Sequence, residues 1–338
     1  SKEMTKKYIE TLNHRFVQPL NVAGEEYHLT FTIGVILFNN NDSSAFDLLK
    51  RAETAMYEAK KSARGTSLFY TSDMTSSSKE DLMLENDIHK AIQNNELSIH
   101  YQPQLDVATN KIIGAEALVR WNHPTQGFIS PGKFIPIAEE SGVIIKLEEW
   151  IFDQVLQEIK QLSELPGGFP LDHVAINVST MHFLQTHFVE KLMLMMQKYK
   201  IKPEWIDIEI TESGIMRNIN DAVQKIKELK KFGFTFSIDD FGTGYSSFSY
   251  LKELPVNVIK IDQSFVMNMH NDQGDATIVE TVVAIGQKFH LKVLSEGVES
   301  QDTLIRLSEM GCDLYQGNYL YKAMSFDAFS SLVKSENQ

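Results

Sequence analysis

The chain has 338 residues, with 45 acidic against 32 basic side chains, a formal charge of -13 and a single cysteine, Cys312. That length suits one large domain or two, and the acidic balance repels DNA, RNA and anionic membrane surfaces, so a phosphate-bearing ligand must be held by a local feature. One cysteine excludes an internal disulfide, no apolar run approaches a membrane-spanning length, and the polar start is unlike a signal segment; a cytoplasmic setting is the expectation.

Residues 27 to 35 alternate, with Tyr27, Leu29, Phe31, Ile33 and Val35 on one side and His28, Thr30 and Thr32 on the other, which predicts a strand covered on one face. A helix is predicted next, because Phe46, Leu49, Ala52, Met56 and Ala59 recur at helical spacing and Gly65 follows the basic run ending at Arg64. The polar, serine-rich stretch from Thr71 to Lys79 then separates this α+β piece from a different pattern. The expected division is residues 1–70, a linker over 71–80 and a second domain over 81–338.

Beyond the linker, short apolar runs alternate with long amphipathic segments. The runs are LSIHYQP (97–103), IIGAEALVRW (112–121), VAINVS (174–179), WIDIEITE (205–212), FTFSIDD (234–240), VNVIKID (256–262), LKVLSEGVE (291–299) and CDLYQG (312–317). Helix-like stretches such as Asp221 to Phe232, ended by Gly233, and Ala276 to Phe289 lie between them. Eight strand-like runs joined by helices have the proportions of a (β/α)8 barrel, with a doubly wound open sheet as the alternative.

Nearly every run ends in a side chain that carries chemistry: Glu116, Asn177, Glu209, Asp239 with Asp240, Lys260, Glu296 and Gln316. In a barrel such ends converge on one mouth. Five carboxylates facing one lysine would repel strongly, whereas two divalent cations together with Lys260 balance the charge. A donor set without cysteine or histidine favours a hard ion, Mg2+ or Mn2+. Neighbouring strand residues point to opposite faces, so Asp239 and Asp240 can share a cluster only where strand gives way to loop; Gly242 and Gly244 are expected to supply that bend and a mobile loop over the site. Asn177-Val-Ser matches a glycosylation acceptor but lies within a strand-like run. The methionines of Leu192-Met-Leu-Met-Met-Gln197 read as helix core, and Cys312 as a small buried residue.

These residues together resemble the EAL-domain phosphodiesterases of cyclic di-GMP, over essentially all of residues 82 to 332. The motifs are Tyr101-Gln-Pro103, Glu116-Ala-Leu-Val-Arg120, His123-Pro, Phe134-Ile-Pro-Ile-Ala-Glu139, Asn177-Val-Ser, Glu209-Ile-Thr-Glu212, Asp239-Asp-Phe-Gly-Thr-Gly-Tyr-Ser-Ser, Lys260-Ile-Asp262, Glu296-Gly-Val-Glu299 and Gln316-Gly. Residues 5 to 70 look like the C-terminal half of a GGDEF (diguanylate cyclase) domain without its signature loop, through Thr32-Ile-Gly-Val35 and the stretch from Leu48 to Lys60.

The resemblance implies a TIM-like barrel that cuts cyclic di-GMP to linear pGpG by a two-metal mechanism. Glu116, Asn177, Glu209 and Asp239 would hold the first ion, and Asp239 with Asp240 the second. Lys260 and Glu296 would handle the attacking water. Gln102, Leu118, Arg120 and Gln316 would contact the dinucleotide or complete the cluster's surroundings, and Glu212 would anchor the glycine loop. A homodimer through this domain is also implied. Asn318-Tyr-Leu-Tyr-Lys-Ala323 departs from the usual pattern and puts the shape of the substrate rim in question. Two other classes compete: a receptor of the same fold that binds without cutting, and a Mg2+-dependent barrel lyase with Lys260 as base.

Overall fold

The computed structural model describes residues 2–15, 20–22, 25–27, 30–38, 44–62, 65–216, 218–243 and 251–336. It separates into two compact units, Ser1–Asn86 and Asp87–Gln338.

In the first unit a helix, Lys2–Arg15, precedes the antiparallel pair β1 (Leu20–Val22) and β2 (Glu25–Tyr27) and the parallel pair β3 (Ile33–Val35) and β4 (Ser67–Phe69). The single strand expected over 27–35 is therefore two short ones, and residues 30–32 belong to neither. The helix Ala45–Ser62 packs closely on β3, where a Cβ at Gly34 would fall 2.0 Å from the Ala52 carbonyl oxygen. Ala55 and Ala59 are fully buried on that helix, while Phe46 and Leu49 of the expected apolar stripe are exposed.

The serine-rich stretch assigned to the linker is the first half of a helix, Ser72–Gln93, and the division between units falls within that helix. Serine is only mildly unfavourable in a helix, and the apolar residues further along, with Leu84, Ile88 and Ala91 buried, continue the turn pattern.

Each of the eight runs becomes a strand of one closed barrel: β5 (Leu97–Asp106), β6 (Ile112–His123), β8 (His173–Asn177), β9 (Ile206–Thr211), β10 (Thr235–Phe241), β11 (Val258–Ile261), β12 (Lys292–Ser295) and β13 (Leu314–Tyr315). The short strands β7 (Gly127–Ile129) and β14 (Met324–Ser325) pair with β6 and β5. From β6 round to β13 the neighbours are parallel, and β9 and β11 are buried along almost their whole length, as strands covered by helices on one side and barrel core on the other must be.

The first strand departs from an all-parallel barrel. β5 runs antiparallel to both β6 and β13, in the registers Leu97↔Trp121 and Leu314↔Asp106. The connection from Asp106 to Ile112 is too short for a crossover helix, which leaves a hairpin as the way to join these strands.

Outer helices follow the apolar periodicity. Ile144–Ser163 buries Ile144, Leu147, Ile151, Val155, Ile159 and Leu162 on one stripe, and Ile219–Phe232 ends at Gly233, whose φ of 110° favours a residue without Cβ. Among the described residues no helix is long and apolar enough to cross a membrane.

Candidate active site

The parallel strands β6 to β13 bring their carboxyl ends to one mouth, and a single ammonium organises the side chains there. Lys260, on β11, has no exposed surface. Its Nζ lies 2.7 Å from Glu209 Oε2 on β9, 2.8 Å from Glu296 Oε1 just past β12, 3.2 Å from Asp239 Oδ1 on β10 and 3.7 Å from Glu116 Oε2 on β6.

Two amides hold the far side of this cluster. Asn177, at the end of β8, donates Nδ2 to Glu116 Oε1 at 2.6 Å, and Gln316 donates Nε2 to Glu116 Oε2 at 2.6 Å and to Gln102 Oε1 at 3.1 Å. Gln102 reaches the cluster because its register partner across the hairpin is Glu116, and its own Nε2 donates to the Tyr321 carbonyl at 3.4 Å. The expected residues Glu116, Asn177, Glu209, Asp239, Lys260, Glu296, Gln102 and Gln316 thus form one bonded network.

Asp240 stands beside it by an unexpected device. Against β9 the register of β10 continues as far as Asp239, but against β11 it slips between Ile238 and Phe241, and Asp240 has φ 55°. The bend therefore begins at Asp240 itself, inside the strand, rather than at the glycines that follow. Aspartate is among the few side chains that tolerate the left-handed region, and here its N–H donates to Asp239 Oδ1 at 3.0 Å. Gly242 continues the turn at φ 98°, and Glu212, buried at the start of the short helix Glu212–Met216, accepts its N–H at 3.0 Å. Gly244 and the rest of the expected glycine loop lie outside the described residues.

Leu118 and Arg120 are not bonded to the cluster. They line an adjoining pocket of about 260 Å³ whose other walls include Ile135, Ile151, Asn177 and Glu209. A second groove, between helices Gln273–Phe289 and Gln301–Met310, is lined by Glu280, Arg306 and Glu309 and holds none of the strand-end groups.

Electrostatics set the state of the cluster. Burial works against the Lys260 charge, but Asp239, Glu116, Glu209 and Glu296 outweigh it and hold the ammonium well above the usual lysine range. Burial pushes Glu209 well above the carboxylate range despite Lys260, with Glu116 and Asp239 adding to the rise. Burial likewise raises Glu296 to about 8, and burial with the Asp239 charge raises Asp240 to about 6. Glu116 goes the other way: burial would raise it, but Lys260 and the Gln316 and Asn177 amides together hold it low. One cation is too few to offset the burial and mutual repulsion of these acids, which is why Glu209, Glu296 and Asp240 are all raised while Glu116 alone is held low.

Among the described residues no three His, Cys, Asp or Glu side chains are spaced as the ligands of an ion, because the carboxylates converge on Lys260. The group nonetheless fits a divalent cation on two observations. Glu209 Oε1 and Gln316 Oε1 are buried acceptors without a partner, and the carboxylates that gather there offer only oxygen, the ligand that hard ions take.

Glu148 is the functional candidate that sequence reading missed. It is 5% exposed on the helix Ile144–Ser163 and shares the wall of the Arg120 pocket. Its signal is an acid on the apolar stripe, four residues after Ile144 and seven before Val155.

Gly317 shows how tightly the rim is built. A Cβ there would meet the Val298 carbonyl oxygen at 2.1 Å and its nitrogen at 2.3 Å, both backbone atoms, while Val298 N–H donates to Gln316 O and Tyr319 N–H to Val298 O. Gly317→Ala should therefore cost about 1–3 kcal/mol in urea denaturation. A loss below about 0.5 kcal/mol would mean that this rim yields.

The EAL domain family matches residues 85–323, and the Diguanylate cyclase, GGDEF domain family matches residues 1–66. Among curated proteins, "Bifunctional diguanylate cyclase/cyclic di-GMP phosphodiesterase MucR" of Pseudomonas aeruginosa is 35% identical over 315 residues, covering 93% of this chain and 46% of its own. "Cyclic di-GMP phosphodiesterase PdeR" of Escherichia coli is 34% identical over 316 residues, covering 94% and 47%. The chain spans less than half the length of these relatives. Among solved structures, "PaMucR Phosphodiesterase, c-di-GMP complex" aligns with TM-score 0.70 at 35% identity over 73% of this chain and 99% of that one. "Structure of EAL Enzyme Bd1971 - cAMP and cyclic-di-GMP bound form" aligns with TM-score 0.73 at 28% identity over 87% and 77%.

Proposed function

The chain belongs to the EAL domain family, with a partial GGDEF domain ahead of it, and from that premise we propose that it hydrolyses one phosphodiester bond of cyclic di-GMP to give linear pGpG. The observation that carries this reading is the convergence of four carboxylates on one fully buried ammonium, with a Glu209 oxygen left unpartnered. The relatives named as cyclic di-GMP phosphodiesterases support it.

Glu116, Asn177, Glu209 and Asp239 would hold one divalent ion, and Asp239 with Asp240 a second, either Mg2+ or Mn2+. Bound there, the ions supply charge to the phosphate oxygens and make a water acidic near neutral pH. Lys260 keeps Glu209, Asp239 and Glu296 turned toward a common centre. Glu296, 2.8 Å from Lys260 Nζ, would take a proton from the attacking water once a bound cation has displaced its own. The water oxygen bonds to phosphorus, the bond from phosphorus to the ribose 3′ oxygen breaks, and the leaving oxygen takes up a proton. Arg120, Leu118, Gln102 and Gln316 would seat the dinucleotide, and Glu212 would brace the glycine loop. A cytoplasmic homodimer associating through this domain completes the proposal.

Incubation with cyclic di-GMP and Mg2+ or Mn2+, with a chelator control, should yield pGpG by chromatography. Glu116→Ala should abolish it, since a proposed ion ligand and the shared acceptor of two amides are lost, while the barrel's far-UV circular dichroism stays unchanged. Undiminished turnover by that variant, or turnover in chelator, would sink the proposal.

Ion binding should also release protons. Glu296 and Asp240 are raised to about 8 and about 6, so the ion-free site is partly protonated at pH 7 and an arriving cation displaces those protons. Calorimetric titration with Mn2+ in two buffers of different ionisation enthalpy should show proton release at pH 6.5 that diminishes above pH 8.5. Identical heats in both buffers at pH 6.5 would count against this account.

A further inference from the structure

Glu148 and His182 form a buried pair beneath the segment that carries Asn177. Glu148 Oε1 accepts the Ser179 backbone N–H at 2.7 Å, and Glu148 Oε2 lies 2.8 Å from His182 Nδ1. The two side chains are only 6% and 4% exposed. Both oxygens of one carboxylate are thus committed to a single turn, two and five residues beyond Asn177.

That turn has little freedom elsewhere. Val178 N–H donates to the Glu209 carbonyl at 2.9 Å, and Ser179 Oγ caps the short helix Thr180–Phe183 by accepting His182 N–H. Thr180 sits against Gly214, where a Cβ would fall 2.0 Å from its Oγ1, and the His182 ring meets Phe188 edge to face at 4.9 Å. A buried carboxylate in an otherwise apolar helix stripe costs stability unless every oxygen is satisfied. Here each one is satisfied by the segment that delivers Asn177 to Glu116.

We infer that Glu148 is a positioning residue: from an outer helix it fixes the turn after β8, and so fixes where the Asn177 side chain stands relative to Glu116 and Glu209. The inference rests on the reading of Asn177 as an ion ligand. It does not make Glu148 a group that touches substrate. Outer partners that orient a ligand typically change metal affinity or activity by 10–100-fold when removed.

The test uses the full chain and three variants, and reads Mn2+ affinity by calorimetry without substrate, hydrogen exchange at the Ser179 amide, and kcat and KM for cyclic di-GMP. Glu148→Ala strands the Ser179 N–H and His182 and should weaken Mn2+ binding about 10-fold or more, speed Ser179 exchange, and lower kcat more than it raises KM. Glu148→Gln keeps an acceptor for Ser179 and can donate to the other tautomer of His182, so it should stay within about 3-fold of the parent. His182→Ala removes one arm only and should fall between.

If Glu148→Ala melts the chain outright, Glu148→Gln and His182→Ala still decide: loss of folding in Glu148→Ala, with parent-like Mn2+ affinity in His182→Ala, would mean a role in stability alone and overturn the inference. Parent-like Mn2+ affinity and Ser179 exchange in folded Glu148→Ala would overturn it directly. A parent that binds Mn2+ and cuts substrate while the variants show no loss refutes only the positioning role. A parent that does neither refutes the functional reading, and the inference falls with it.

Discussion

Lys260→Met should lower turnover of cyclic di-GMP by about 10³-fold or more and, in chelator at pH 7.5, destabilise the barrel by about 3–5 kcal/mol. The thioether approximates the lysine stem in volume, so the effect isolates the charge. Four carboxylates would be left within reach of one another around an apolar end, with the 2.7 Å and 2.8 Å bonds to Glu209 and Glu296 gone. Carboxylates without a cation take up protons, and protonation relieves their repulsion, so the loss should shrink at pH 5. All three tryptophans, Trp121, Trp150 and Trp205, lie in the barrel unit, so fluorescence-detected urea unfolding reports on it alone. A variant within 1 kcal/mol of the parent at pH 7.5 would show that the ammonium does not organise the cluster.

Glu209→Gln should separate stability from activity. Burial and the neighbouring charges of Glu116 and Asp239 raise this carboxyl well above its ordinary range. For an acid whose folded pKa is raised, the unfolded chain gives up its proton first, so stability falls as pH climbs from the unfolded value toward the folded one. The amide removes that penalty while its oxygen can still accept from Lys260 Nζ. The ion-free variant should gain on the order of 1 kcal/mol at pH 7.5, gain nothing near pH 3.5, and lose turnover by about 10²–10⁴-fold. A variant that is destabilised at pH 7.5 would contradict the electrostatic picture, and one that keeps its turnover would remove Glu209 from the proposed ligands.

Much of this was legible in the chain. All eight barrel strands lie on the apolar runs, because a strand buried on both sides needs a short apolar stretch and little else. The convergence of Glu116, Asn177, Glu209, Asp239, Lys260, Glu296 and Gln316 followed from one such side chain on each run, although Glu116 stands in the middle of β6 rather than at its end. What escaped lies in backbone geometry and in contacts between distant segments. The reversed direction of β5 was written in the few residues between Asp106 and Ile112, but direction is not a property of either run alone. No pattern announces that Asp240 takes a left-handed conformation, since aspartate occupies ordinary strand positions as well. Glu148 was visible as an acid on an apolar stripe, yet its meaning depends on Ser179 and His182, which sequence cannot place beneath it.

The reversed first strand also decides how the barrel is plumbed. In an all-parallel barrel the incoming chain meets the rim opposite to the carboxylates and travels the length of the first strand before reaching them. Here Leu97 pairs with Trp121, beyond Glu116 toward the mouth where the carboxylates gather, so the chain enters at that end and crosses to the other rim only by Asp106. The return strand Met324–Ser325 meets β5 at Tyr101 and His100, and thus also leaves on that half of the barrel. Entry strand and return strand therefore both meet the barrel on the half that carries the clustered carboxylates, while the hairpin at Asp106 to Ile112 reaches the opposite rim.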